Sequence, residues 1–192
     1  MERSCAFRAQ ASLHGSSWGR RLSTTATPIG PGHYRESFGR YLEDFTVGDV
    51  YEHRPGRTIN EADNTWFTLL TMNNHPIHLD ANYAAKSEFG KPLVNSALTL
   101  AMVVGMSVSD LSYKSIANLG WDKIRLTAPV FAGDTIYAES EILAARESRS
   151  RPNQGIVTAR TTGKKSDGTV FMTYERSILV PKRGHAVDDM ED

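Results

Sequence analysis

At 192 residues and 40% hydrophobic content, the chain is long enough to bury one core and short enough to predict a single domain. Its 22 basic and 22 acidic residues balance, which argues against nucleic acid as a partner, and no apolar run approaches the roughly 18 residues needed to cross a bilayer. Cys5 is the one cysteine, so an internal disulfide is excluded and cysteine catalysis is not expected.

The charge balance hides an asymmetry. Residues 1–35 hold Arg3, Arg8, Arg20, Arg21 and Arg35 against the single acid Glu2, which leaves 17 basic and 21 acidic residues from 36 to 192, a net charge of −4. Residues 1–26 are rich in arginine and serine and lack a continuous apolar centre, the composition of a mitochondrial transit peptide, so a mitochondrial matrix location is expected. The alternative is a disordered tail. Thr27-Pro28-Ile29-Gly30-Pro31-Gly32 reads as a linker, because it can form neither helix nor ladder without breaks. Residues 1–34 are thus expected to be leader and linker, residues 40–182 the domain, and residues 183–192 a disordered acidic tail.

Within the domain, residues 51–59 have strand character interrupted by Pro55-Gly56, which predicts an edge or bulged strand. Asn60 is placed to cap a helix by accepting from the N–H of Asp63, with Ala62, Trp66, Leu69 and Leu70 as its inward face. That helix should end by Met72. After Met72-Asn73-Asn74-His75-Pro76-Ile77-His78-Leu79-Asp80, in which proline forbids regular helix, Asp80 caps a short helix with Tyr83 and Ala84 inward, and Gly90 closes it. From Ser96 to Met106 apolar side chains cover every side, predicting a helix buried all round. Residues 120–126, 134–145, 154–163 and 170–180 are rich in β-branched or aromatic residues and separated by turn signals, an antiparallel meander. Ile136, Ala138, Ser140 and Ile142 fall on one face of their strand, toward the helix. The predicted fold is α+β, a curved antiparallel sheet wrapped around one long buried helix.

The loop is the candidate active site. It gathers His78, two amides and His75 beside the start of the buried helix, where Asn95 and Ser96 offer unpaired N–H groups and the positive end of the dipole. His75, His78 and Asp80 do not make a metal site on spacing: a proline-broken i, i+3 pair differs from the one-face i, i+4 pair of helical zinc enzymes, so no metal is predicted.

Asn73 to His78, Ala84-Ala85, Phe89-Gly90-Lys91-Pro92-Leu93-Val94 and Ala128 to Thr135 together resemble the MaoC-like hydratases of the hot-dog fold. The similarity runs in consistent order from about Gly39 to Lys182. Leu70 to Asn73, His78-Leu79-Asp80 and Leu93-Val94-Asn95-Ser96 are most similar to the branch acting on mesaconyl-CoA or itaconyl-CoA. The resemblance implies an acyl-CoA hydratase or dehydratase, a homodimer with its sites near the interface, and no cofactor, coenzyme A arriving as part of the substrate.

This chain departs from the family pattern where Asn73 stands for an aspartate, His75 for an asparagine, and Asn95-Ser96 for a His-Gly pair. By resemblance His78 is the base that activates water, since an imidazole titrates near neutral pH; the bland alternative is a histidine bonded only to backbone. Asn73 is assigned to positioning water or thioester, or else to a helix C-cap. His75 and Asp80 are candidates to replace the missing carboxylate, with loop support and helix capping as their alternatives, and Asn95 and Ser96 are candidates for the thioester oxygen. Lys123, Arg125 and Lys182 could meet coenzyme A phosphates or simply be solvated. A hot-dog thioesterase and a non-catalytic acyl-CoA-binding subunit are the competing functions.

Overall fold

The structure, a computed structural model, describes residues 26–190. The transit-peptide reading therefore lies outside the described residues, except at its last position.

Strand β1 (Ala26–Gly30) pairs antiparallel with β2 (His33–Glu36), which corrects the linker reading of residues 27–32. The expected breaks are absorbed rather than fatal: the register shifts between Pro28 and Gly30, and Gly32 turns the chain at φ +70°, a conformation that glycine adopts without penalty.

The principal sheet has five antiparallel strands in the order β3-β5-β6-β7-β4, formed by β3 (Val50–Thr58), β4 (Ala117–Leu126), β5 (Thr135–Glu147), β6 (Gln154–Lys165) and β7 (Val170–Pro181). The last three make the expected meander, while β4 crosses to pair with β7 and becomes an edge. β3 is the other edge, with its register irregular between His53 and Arg57, around Pro55-Gly56. Alternation on β5 buries Ile136, Ala138, Ser140 and Ile142, as the period-two pattern requires.

Helix α3 (Ser96–Met106) crosses the concave face, with Leu98, Thr99 and Val103 buried against Ile136, Phe171, Met172 and Tyr174. Burying each large apolar side chain contributes about 1.5–3 kcal/mol, so this contact is a substantial source of cohesion. The expectation that α3 is covered on all sides is corrected within one chain: Ser96, Ala97, Ala101 and Gly105 are exposed and, with i, i+4 spacing from Ala97, the small residues run along one bare stripe.

Helix α1 (Glu61–Leu70) begins as expected, with Asn60 Oδ1 accepting from Asp63 N–H and Asp63 returning a bond to Asn60 N–H. Its inward face is not the predicted one. Asn64 and Thr68 are buried and Phe67 half-buried, whereas Trp66, Leu69 and Leu70 are exposed. The reason is that α1 packs on a loop whose backbone polar groups need partners, so amide and hydroxyl side chains face in.

Helix α2 (Ala81–Ala84) is a single turn capped by Asp80; Ala84 is buried but Tyr83 is exposed. The C-terminal reading also needs correction. Residues 183–190 pack back on the body: Lys114 pairs with Asp188 at 2.7 Å, the Tyr41 hydroxyl donates to Asp189 at 2.5 Å, and Ala186 is buried. Asp188 and Asp189 meet complementary groups on the domain while keeping contact with water, and residues 191–192 lie outside the described residues. Among the described residues, no helix is long and apolar enough to cross a membrane.

Candidate active site

After α1 ends at Leu70, Pro76 starts a single 3-10 turn, Pro76–His78, that carries the imidazole of His78 between α1 and α2. The turn is held from below by Asn64. Its amide nitrogen donates to the carbonyls of His78 and Leu93, both at 3.1 Å, while its oxygen accepts from Asn95 N–H at 2.8 Å. One buried side chain thus ties the histidine turn, the segment after Gly90 and the start of α3 into a single unit. Sequence reasoning missed Asn64; the only signal was an amide among apolar residues in α1.

His78 Nδ1 lies 2.9 Å from the carbonyl oxygen of Leu93. A carbonyl only accepts, so Nδ1 carries the proton and Nε2 of the neutral ring presents a lone pair. That is the tautomer a general base needs at Nε2. The residue lines a cavity of about 420 Å³ with Phe89, Leu93, Ser96, Thr99, Leu126 and Phe171 among its walls. Gly163 lies so close to the Phe171 ring, one of the cavity walls, that a Cβ there would lie 2.7 Å from its Cζ.

The cavity walls contain no carboxylate and no cation. Its polar groups are mostly engaged: the Thr99 hydroxyl donates to Ser96 O at 2.8 Å, and the Thr127 hydroxyl to Val170 O at 2.7 Å. Ser96, the first residue of α3, contributes the positive end of the helix to the same cavity that His78 lines.

The other predicted residues lie nearby but are turned to structural tasks. Asn95 is buried and caps α3, its Oδ1 accepting from Ala97 N–H at 3.0 Å. Asn73 Oδ1 accepts from His75 N–H at 3.1 Å. His75 Nδ1 accepts from Ile77 N–H at 3.1 Å, and its ring sits edge-on, 6.1 Å centre to centre from that of His78 and 6.0 Å from Tyr83. Asp80 Oδ1 accepts from the N–H groups of Asn82 and Tyr83. Of the six, His78 and Ser96 share the cavity, and the walls include none of Asn73, His75, Asp80 or Asn95. Among the described residues, no three metal-ligating side chains converge. Lys123 pairs with Glu175, Lys182 with Glu147, and the Arg125 guanidinium with the Ile124 carbonyl.

A curved sheet around a central helix, with a histidine turn overhanging the helix start, defines a hot-dog protein of the MaoC-like class. The chain belongs to the mesaconyl-CoA hydratase family, whose model matches residues 27–191. It is 30% identical over 148 residues to the mesaconyl-CoA hydratase of Cereibacter sphaeroides, covering 77% of this chain and 43% of that protein. The (R)-specific enoyl-CoA hydratase of Aeromonas caviae is 29% identical over 128 residues, 67% of this chain and 91% of the relative. A solved MaoC domain protein from Chloroflexus aurantiacus superposes with a TM-score of 0.72 at 30% identity, covering 76% of this chain and 41% of that one. The chain therefore spans less than half the length of the mesaconyl-CoA hydratase it matches.

Proposed function

We propose that this chain is a hydro-lyase that adds water to, or removes it from, the double bond of an enoyl-CoA thioester. The observation that carries the proposal is the His78 ring, oriented by the Leu93 carbonyl at Nδ1, on the wall of an apolar cavity that also holds the start of α3. In the hydration direction Nε2 takes a proton from water as the oxygen attacks the β carbon. The electron pair of the double bond moves toward the thioester oxygen, where the amide end of α3 stabilises the negative charge; one such donor contributes about 2.7–4 kcal/mol. The imidazolium then returns the proton to the α carbon. With no carboxylate on the cavity wall, His78 serves in both steps.

The acyl group we propose is a short branched dicarboxylic one, as in mesaconyl-CoA or itaconyl-CoA. The family match and the Leu93 to Ser96 sequence support that choice. A homodimer is proposed as the working form. The bare small-residue stripe of α3 lies in a chain whose edge strand β4 exposes Leu119, Trp121 and Leu126, and the mesaconyl-CoA hydratases are more than twice as long as the match. The arginine- and serine-rich residues 1–26 support a mitochondrial matrix location.

The test is to follow loss of enoyl absorbance and release of free thiol in the same reactions, over a panel of enoyl-CoA esters. Loss of absorbance without thiol supports a hydratase. Thiol release without double-bond chemistry overturns it in favour of a thioesterase, and binding without either indicates a carrier subunit.

A further inference from the structure

The cavity of His78 has a polar difficulty if the acyl group bears a second carboxylate: none of its walls carries a positive charge. His78 also lines a second cavity, of about 290 Å³, whose walls include Glu61, Asn64, Lys91, Pro92, Phe131 and Ala132. Lys91 is the one cation on the walls of either.

Its surroundings are built. The Lys91 ammonium lies 4.3 Å above the centre of the Phe131 ring, and the backbone that carries that ring is anchored by the Phe131 N–H donating to Asp134 at 3.0 Å. A second ammonium, Lys165, stands 5.7 Å from the same ring, but its charge is matched by Asp134 at 2.7 Å. No acid pairs with Lys91 among the described residues. Glu61, the acid on this cavity's wall, lies in the first turn of α1, where the helix dipole favours it. The lysine is also covalently close to the catalytic turn, since Leu93, two residues on, accepts from His78 Nδ1.

We propose that Lys91, seated on Phe131, is a specificity-determining residue that holds an anionic group of the thioester substrate beside His78. The anion is either a second carboxylate on the acyl group or a phosphate of coenzyme A. This rests on the hydratase reading above. An aromatic ring beneath an ammonium keeps it in place without neutralising it, which leaves the charge available to a ligand.

The experiment compares wild type with Lys91→Met, which retains packing on Phe131, and with Lys91→Glu. Each is assayed with an enoyl-CoA bearing a second carboxylate and with an uncharged enoyl-CoA of equal chain length, both also prepared on 3′-dephospho-CoA. A KM raised about tenfold or more with nearly constant kcat, confined to the carboxylate-bearing esters, assigns Lys91 to the acyl carboxylate. The same rise confined to the esters that retain the 3′-phosphate assigns it to that phosphate. A rise of equal size on all four esters assigns it to the pyrophosphate. KM values within twofold of wild type on every ester, with wild type active, overturn the Lys91 proposal alone. Wild type inactive on every ester overturns the hydratase reading, and the Lys91 proposal with it.

Discussion

One carbonyl oxygen decides what His78 can do. Leu93 O fixes the proton on Nδ1, so exchange of the ring for a side chain without a proton acceptor removes the only base on the cavity wall. His78→Ala is expected to lower the hydration rate by about a hundredfold or more while far-ultraviolet circular dichroism stays native. Asn64 works one step behind it. Asn64→Ala leaves the His78 carbonyl and the Asn95 N–H without their side-chain partner and leaves the Leu93 carbonyl with His78 Nδ1 alone. The expected cost is about 1–3 kcal/mol, read as a lower urea midpoint, together with a reduced kcat as the Leu93 carbonyl loses its position. A midpoint equal to wild type would show that Asn64 is not the clamp. The remaining amides and acids of the loop have intelligible duties: Asp80 and Asn95 cap helices, and Asn73 and His75 accept from the loop's own N–H groups. This is why a segment dense in polar residues contributes so few of them to the cavity.

At the scale of elements, α3 and β4 share a deficit. Ala97, Ala101 and Gly105 let another backbone approach closely, and among the described residues they are left exposed. Exposed small residues on the one helix that a sheet encloses make sense as a contact between copies. Ala101→Glu places a charge in the middle of that stripe and is expected to convert the proposed dimer to monomer, as measured by light scattering after size exclusion. Activity should fall with it, because Leu126 and Thr127 of the β4 edge region line the His78 cavity. A dimer that survives the substitution would place the contact elsewhere. Helix α1 has the opposite arrangement, with polar residues inward and Trp66 and Leu70 outward, because it serves the loop more than the core.

Across the whole molecule, two apolar clusters lie on either side of a polar row. On β5 the order Ala138, Ser140, Ile142 steps from one cluster through the polar position to the other. His53 Nε2 and Ser140 Oγ are 2.8 Å apart, and Ser140 and Thr161 hydroxyls likewise. Burial pushes the His53 pKa down; Arg54 and Arg40 act in the same direction, and Asp110 opposes them. The unfolded chain, with a histidine near 6.5, therefore takes up this proton before the folded one. The stabilisation from neutral His53 is present in full above about pH 6.5 and is lost as pH falls below it toward the depressed folded value. Urea midpoints measured between about pH 7.5 and 5.5 should decline more steeply for wild type than for His53→Gln, which can still bond Ser140 but does not titrate. Parallel curves for the two proteins would remove His53 from the account.

The order of elements, the inward row on β5, the Asn60 cap and the break in helix at the Pro76–His78 turn were legible along the chain, because alternation, capping and proline act over a few residues. Period and composition also found α3, and they marked it as a helix needing cover on all sides. What they could not supply is that one stripe of α3 stays bare, which face of α1 turns inward, or that residues 27–32 pair and residues 183–190 pack. Those outcomes depend on partners far away in sequence: the Leu93 carbonyl that selects a tautomer, the Asn64 amide reaching three segments, and Lys114 meeting Asp188. A local pattern encodes the preference of a residue for water or core, whereas only the assembled chain determines which distant group satisfies a given donor or acceptor.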